Sequence, residues 1–307
     1  MPTVTLGINP LTWTNDDLPS LGAMTSLETC LKEGREAGFS GFELGNKFPR
    51  TPDALGQVLN SHNLALVSGW YSAQLLARSP EEEIEAIQDH MNLLKQCGAK
   101  VMVLCEVTHC VHGDQQRPLS QRPHLAEADW QRLTHGLNVV GDYLKSQGIQ
   151  LVYHHHLGTV IESQVDVERL MDNTSGDVGL LLDFGHLRGA DGDPLAIAKR
   201  YSDRIHHVHC KDLRFPVLEA VRNRDKSFLN GVLDGMFTVP GDGDIDFLPA
   251  LTHLCEQGYQ GWLVVEAEQD PEVAHPLTYA RLGHRNLRQL AEQAGFDIAD
   301  ATVTATV

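Results

Sequence analysis

Three features of this sequence predict an α/β fold, a single-domain (β/α)8 TIM barrel. Short apolar runs of buried-strand type alternate with helical spacing along the chain, and eight such runs can be counted. No flexible linker divides the 307 residues, of which 42% are hydrophobic, so one large core is expected. The run Val178–Leu182 ends on Asp183 and the run Ile205–Val208 on His209, with Pro194–Tyr201 reading as a crossover helix between them. Strands of such a unit are parallel, and their C-terminal ends share one edge. Eight parallel strands closed into a barrel leave no sheet edge to protect, which favours the barrel over an open doubly wound sheet.

Taken in order, Val4–Asn9 is the first strand. Pro10 and Asn15-Asp16-Asp17 then make a loop before a helix that starts near Thr25, with Thr25 or Ser26 as its cap, and stops at Gly38. Ser40–Gly45 is the second strand and Pro52–Asn60 resumes helical spacing. Ala65–Trp70 is the third strand. The acidic start Ser79-Pro80-Glu81-Glu82-Glu83 opens one long helix, Pro80–Gln96, before the fourth strand, Lys100–Cys105, which ends at Glu106. A loop over Thr108–Pro123 and a helix over Glu127–Gln147 lead to the fifth strand, Gln150–Tyr153, with His154-His155-His156 at its end. The sixth and seventh strands are the pair already described. Trp262–Val265, ending on Glu266, is the eighth, and the closing helix spans about Leu277–Ala294. The barrel thus occupies residues 1–296. Phe215–Pro240 reads as an irregular stretch within a lid-like insert at about 213–244, whose Arg222, Arg224 and Lys226 would lie over the mouth. Residues 297–307 read as a disordered tail.

Composition narrows the functions. Against 24 Lys and Arg stand 41 Asp and Glu, a net charge of −17 that repels phosphate backbones and anionic lipid, so neither nucleic acid nor membrane is expected as a partner. The start has no signal-like pattern and no apolar run approaches a membrane span, which predicts a cytoplasmic protein; a homo-oligomer is left open. Six cysteines without a CxxC pair read as reduced thiols. Cys105, Cys110, His109 and His112 form a candidate zinc cluster, although their spacing matches no common ligand pattern. Asp242, Asp244 and Asp246 alternate as in a calcium loop. Counting from Asp242, however, the sixth position is Phe247 and the twelfth His253, which excludes an EF-hand. Dinucleotide, P-loop and serine-hydrolase motifs are missing from the sequence.

Four strand ends carry the chemistry: His154 or His156 from the fifth, Asp183 from the sixth, His209 from the seventh and Glu266 from the eighth. On successive barrel strands these ends converge on one rim. A carboxylate at the end of a buried strand is costly unless paired, so a cation is expected there. Mixed imidazole and carboxylate ligands suit manganese, cobalt, iron or zinc rather than magnesium or calcium. Period two places His154 and His156 on one face, His154 nearer the barrel as ligand and His156 nearer the substrate. Lys211 and Asp212, just past His209, and His186, three residues after Asp183, are proton-transfer or positioning candidates, as is Glu106. Lys211 and His156 are the preferred pair, with a nearby cation expected to lower the pKa of Lys211; Glu106 and His186 are the rival pair.

The segments Gly7-Ile8-Asn9-Pro10-Leu11-Thr12-Trp13, Tyr153-His154-His155-His156-Leu157-Gly158-Thr159, Asp183-Phe184-Gly185-His186, His207-Val208-His209-Cys210-Lys211-Asp212, Phe237-Thr238-Val239-Pro240-Gly241-Asp242-Gly243 and Val265-Glu266-Ala267-Glu268-Gln269-Asp270-Pro271 carry a resemblance. The sequence resembles the xylose-isomerase-like barrel superfamily and, within it, the myo-inosose-2 dehydratase family. His154 stands where most members of the superfamily carry glutamate. The resemblance implies a hydro-lyase of inositol catabolism that dehydrates 2-keto-myo-inositol (scyllo-inosose), a small polyol ketone, to 3D-trihydroxycyclohexane-1,2-dione. It also implies manganese or cobalt as cofactor, with glutathione as a further additive. An alternative on the same metal barrel is a sugar or sugar-phosphate isomerase or epimerase, which shares the first step, loss of an α-proton. A phosphodiester-cleaving DNA repair enzyme is disfavoured by the net charge.

Overall fold

The computed structural model describes residues 1–301. Eight parallel strands form its centre: β1 (Thr3–Ile8), β2 (Gly41–Leu44), β3 (Ala65–Ala73), β4 (Val101–Glu106), β5 (Gln150–His154), β6 (Val178–Asp183), β7 (Ile205–Cys210) and β8 (Gly261–Val265). They pair in chain order, and β8 returns to β1 with Val4 opposite Gly261 and Ile8 opposite Val265, so the barrel is closed. Around it run α1 (Leu27–Ala37), α2 (Pro52–Ser61), α3 (Pro80–Ala86), α4 (Gln88–Gln96), α5 (Glu127–Ser146), α6 (Gln164–Asp172), α7 (Phe184–Gly189), α8 (Pro194–Tyr201), α9 (Phe215–Asn223), α10 (Phe228–Leu233), α11 (Leu248–Glu256) and α12 (Pro276–Ala294). No described helix is long and apolar enough to cross a membrane.

Strand alternation separates two cores. Leu104, Leu151, Tyr153, Leu180, Leu182, Val208 and Leu263 face the helices in the large outer core, whereas Val101, Val103, Val152 and Leu181 fill the barrel interior. Going two residues on from the inward set gives His154 after Val152 and Asp183 after Leu181, so the packing pattern itself aims these side chains at the C-terminal mouth. A register shift between β6 and β7 accommodates one extra residue, so that His207 lies opposite Leu181 and His209 opposite Asp183.

Four expectations change. Instead of one helix over Pro80–Gln96 there are two, broken at the buried Ile87. The halves are anchored separately: buried Glu83 of α3 accepts from the Tyr71 hydroxyl at 2.5 Å and the Gln74 amide at 2.9 Å, while His90 of α4 meets the Gly69 carbonyl at 3.3 Å. The tail begins as structure: Asp297 and Ile298 pair with Thr3 and Val4. Because β1 meets β2 only from Gly7 onward, the first residues of β1 would otherwise lack partners on that side. Residues 302–307 of the expected disordered tail lie outside the described residues.

The insert after β7 is not irregular. It consists of α9, α10 and a short antiparallel pairing of Asp212–Leu213 with Phe237–Thr238, around a third apolar cluster of Leu213, Leu218, Val221, Phe228, Leu229, Val232, Met236 and Phe237. Its basic residues do not serve the mouth. Arg222 binds Asp191 and the Gly189 carbonyl, and Lys226 pairs with Asp234.

Candidate metal centre and active site

His154, Asp183, His209 and Glu266 come together at the mouth, fully or nearly buried, each with one ligand atom within 4.8 Å of the others. Asp183 divides its oxygens between two tasks. Oδ1 caps α7 by accepting the His186 amide at 2.8 Å, and Oδ2 lies 3.4 Å from both His154 Nε2 and His209 Nδ1. His209 Nδ1 also approaches Glu266 Oε2 at 2.5 Å, yet neither atom has a hydrogen-bond partner. A buried ring nitrogen and carboxylate oxygen brought that close without hydrogen-bond geometry are arranged as ligands of one ion would be. The set of two imidazoles and two carboxylates therefore fits a divalent cation.

Burial opposes charge throughout, and the neighbours decide the outcome. Burial alone would push the Asp183 carboxyl up, but His186, His154, His209 and Lys211 hold it well below the usual range. Burial would push His209 down, but Glu43, Glu266 and Asp183 raise it well above its ordinary value. His154 is lowered by burial. These directions describe the carboxylate-rich centre before an ion neutralises it.

His156 stands at the mouth but apart from this group. Its Nδ1 donates to the Leu157 carbonyl at 2.8 Å, since a carbonyl can only accept, and this leaves Nε2 with a free lone pair. Burial, with His112, His154 and Lys211 nearby, keeps the ring neutral, its pKa well below the ordinary value. His186 packs behind it, ring centroids 3.7 Å apart, with Nδ1 accepting the Leu157 amide at 3.2 Å and Nε2 meeting Lys211 Nζ at 2.9 Å. Gly185 allows this approach, because a Cβ there would come within 2.6 Å of the Lys211 side chain.

Lys211 is fully buried and donates to Glu268 Oε1 at 2.7 Å. The expected lowering of its pKa is reversed: burial lowers it, but Glu266, Glu268 and Asp183 raise it more. Glu268 is raised to about 7 by burial, against the opposing pull of Lys211. Glu268, not Lys211, lines the mouth, together with Asn9, Asp17, Glu43, Trp70 and His156.

Two candidates leave the site. Glu106 follows Leu104 on the helix-facing side of β4 and uses its oxygens on the Leu75 amide at 2.6 Å and the Thr108 amide at 2.8 Å, so it organises loops rather than protons. Asp212 accepts from the Leu213, Gly241, Gly243 and Ile245 amides at 2.8–3.1 Å, tying the Pro-Gly-Asp-Gly segment to the end of β7. The cysteine and histidine cluster does not assemble among the described residues. Cys105 and Cys110 both donate to the Glu106 carbonyl, and His112 packs on Trp70 and His156.

Sequence reasoning missed Glu43, Asn9 and Glu268. For Glu268 the signal was present, since it lies two residues beyond Glu266 on the same face; Glu43, in Phe42-Glu43-Leu44, is a carboxylate inside a buried strand like Asp183.

Comparison with known proteins bears on this site. A family model described as xylose isomerase-like TIM barrel matches residues 31–290. The rhizopine catabolism protein MocC of Rhizobium meliloti is 47% identical over 97% of this chain and 92% of its own. Inosose dehydratase 2 of Bacillus cereus is 44% identical over 94% of this chain and 98% of its own. Among solved structures, an IOLI protein with a bound zinc atom aligns over 95% of this chain and 99% of its own with a TM-score of 0.68 at 16% identity, a likeness of fold.

Proposed function

We propose, for a chain that belongs to the xylose isomerase-like TIM barrel family and to its inosose dehydratase relatives, that it is a metal-dependent hydro-lyase. Its substrate is 2-keto-myo-inositol and its product, with loss of water, 3D-trihydroxycyclohexane-1,2-dione. The observation that carries this reading is the placement of the four-residue group beside a neutral His156 whose Nε2 lone pair is free. His154, Asp183, His209 and Glu266 would hold the cation, for which we propose manganese or cobalt, with glutathione as an additive of the reaction mixture. When bound, it supplies positive charge that stabilises the negative charge developing on a ketone oxygen as the α-proton leaves.

The remaining work falls to side chains. His156 takes the α-proton at Nε2, held in that tautomer by the Leu157 carbonyl. Glu268, raised to about 7, delivers a proton to the departing β-hydroxyl, and the Lys211 ammonium, donating to its Oε1 at 2.7 Å, stabilises the carboxylate left behind. Asn15 Nδ2, 3.3 Å from Glu268 Oε2, steadies the second oxygen. Phe228 and Phe237 pack on His186, and Lys211 lies 4.6 Å from the centre of the Phe237 ring, so Glu268 and Lys211 are backed by an apolar wall. Among the described residues, the carboxylates Asp16, Asp17, Glu43, Glu266 and Glu268 line the mouth and no arginine does, which suits an uncharged polyol better than a sugar phosphate.

The test is incubation of the metal-loaded protein with scyllo-inosose, and separately with free ketohexoses, while dione absorbance is followed. Dione formation from the inosose is expected. Turnover of the hexoses alone would replace the lyase by an isomerase.

A further inference from the structure

Glu43 lies outside the four-residue group but touches it. The side chain is buried and accepts four donors: Ser68 Oγ at 2.6 Å, His207 Nε2 at 2.9 Å and His209 Nε2 at 3.1 Å on Oε1, and Asn9 Nδ2 at 2.7 Å on Oε2. Glu43, His207 and His209 are themselves close enough to be taken for ligands. With three donors on Oε1, however, that oxygen has nothing left to offer an ion, so Glu43 acts on the centre through a hydrogen bond.

Its effect follows from what a carboxylate can do. Ionised, it only accepts, so the His209 nitrogen facing it carries a proton. A neutral imidazole with Nε2–H has its lone pair on Nδ1, and Nδ1 is the atom turned toward Glu266 and Asp183. The other ring facing Glu43, His207, also presents Nε2, so both rings meet the same anion with the same edge. We propose that Glu43 is the positioning residue of the metal centre: its carboxylate fixes His209 as the Nε2–H tautomer, aims Nδ1 at the cation and sets how tightly the centre holds it. The inference rests on the metal-centre reading above. Removing a carboxylate behind a ligating histidine lowers metal affinity by about 10–100-fold in proteins generally.

The measurement is direct titration of the metal-free protein with Mn2+, with no substrate present. Glu43→Gln keeps the shape and one acceptor but removes the charge, and its affinity is expected to fall by about 10–100-fold. Ser68→Ala removes a donor to the same oxygen while keeping the carboxylate, and is expected to bind Mn2+ as the unaltered protein does. Equal affinity in Glu43→Gln overturns the inference, as does an equal loss in Ser68→Ala, which would mark a general disturbance of the barrel interior. A second readout needs no variant. In metal-free protein carrying 15N-histidine, at a pH where the ring is neutral, His209 is expected to keep its single proton on Nε2, and a proton on Nδ1 alone overturns the assignment even if Glu43→Gln does not fold. Should the unaltered protein bind no divalent cation, the metal-centre reading fails and takes this inference with it; tight binding that is indifferent to Glu43 sinks this inference alone.

Discussion

At the scale of single residues, the two oxygens of Asp183 show why an acid at a strand end cannot be replaced by its amide. Oδ1 accepts the His186 amide, which an asparagine oxygen can also do, so the cap on α7 survives the change. Oδ2 faces His154 and His209, where the amide would present an N–H instead of a negative oxygen. Asp183→Asn is therefore expected to fold and to retain less than about a tenth of the bound metal, because a carboxamide is a much weaker ligand for a divalent cation. His156→Ala should behave oppositely. Metal content stays, while solvent-deuterium exchange at the substrate α-carbon falls by about 10²–10⁴-fold, the usual contribution of a positioned base. Metal analysis of the two variants beside the exchange rate checks both halves; full loading of Asp183→Asn, or normal exchange in His156→Ala, would dismantle the assignment.

At the scale of elements, the insert after β7 is a wall built into the site. Phe228 packs on His156 at 4.8 Å and Phe237 on His186 at 5.3 Å, ring centre to ring centre, so the insert's small core is continuous with the two histidines at the mouth. Asp212 holds its far end. Its Oδ2 accepts both the Gly241 and Gly243 amides, and Gly241 sits at φ +88°, a left-handed conformation that favours glycine. In Asp212→Asn the nitrogen faces two donors whichever way the amide is turned, leaving two backbone amides unsatisfied. A loss of about 2–6 kcal/mol is expected at roughly 1–3 kcal/mol for each such group. Urea unfolding measures this, and an unchanged midpoint would mean the tether is dispensable.

At the scale of the whole molecule, the buried charges make stability depend on pH in opposite directions. Asp183 and Glu43 are held below the ordinary carboxylate value by neighbouring histidines against burial, so their stabilisation is present above the unfolded pKa of about 4 and is lost as pH falls. Glu268 is raised to about 7 by burial, so its contribution is present in acid and lost as pH rises through 7. His209, raised by Glu43 and Glu266 against burial, adds to the alkaline loss, since a raised histidine stabilises only while protonated. The metal-free protein is expected to melt highest in mild acid and to lose stability toward alkaline pH. Added Mn2+ should restore the alkaline side, because ligands must be deprotonated to bind. Calorimetry with chelator and with Mn2+ from pH 5 to 9 decides it; a metal-free melting temperature that climbs steadily to pH 9 would contradict the picture.

The alternation of strands and helices, and the run of metal-grade residues at strand ends, were legible in the sequence because both are local. A buried strand shows as an apolar run, and period two tells which residues share a face, so Val152, His154 and His156, or Val264 and Glu266, could be aligned without knowing their neighbours. The same rule applied past Glu266 would have reached Glu268. What local pattern cannot carry is the partner of a polar atom. Glu43 and His209 are separated by 166 residues, and only barrel closure brings Oε1 of one to Nε2 of the other. Glu106 shows the converse: a carboxylate at a strand end, as promising in sequence as Asp183, is turned to the helix side by the phase of β4 and spent on loop amides. Lys211 stands two residues past His209 in the sequence, but its charge state depends on three carboxylates from β6 and the end of β8. Alternation along a strand is a property of the backbone and belongs to the sequence. Pairing, protonation and access depend on distances between strands, which the closed barrel alone sets.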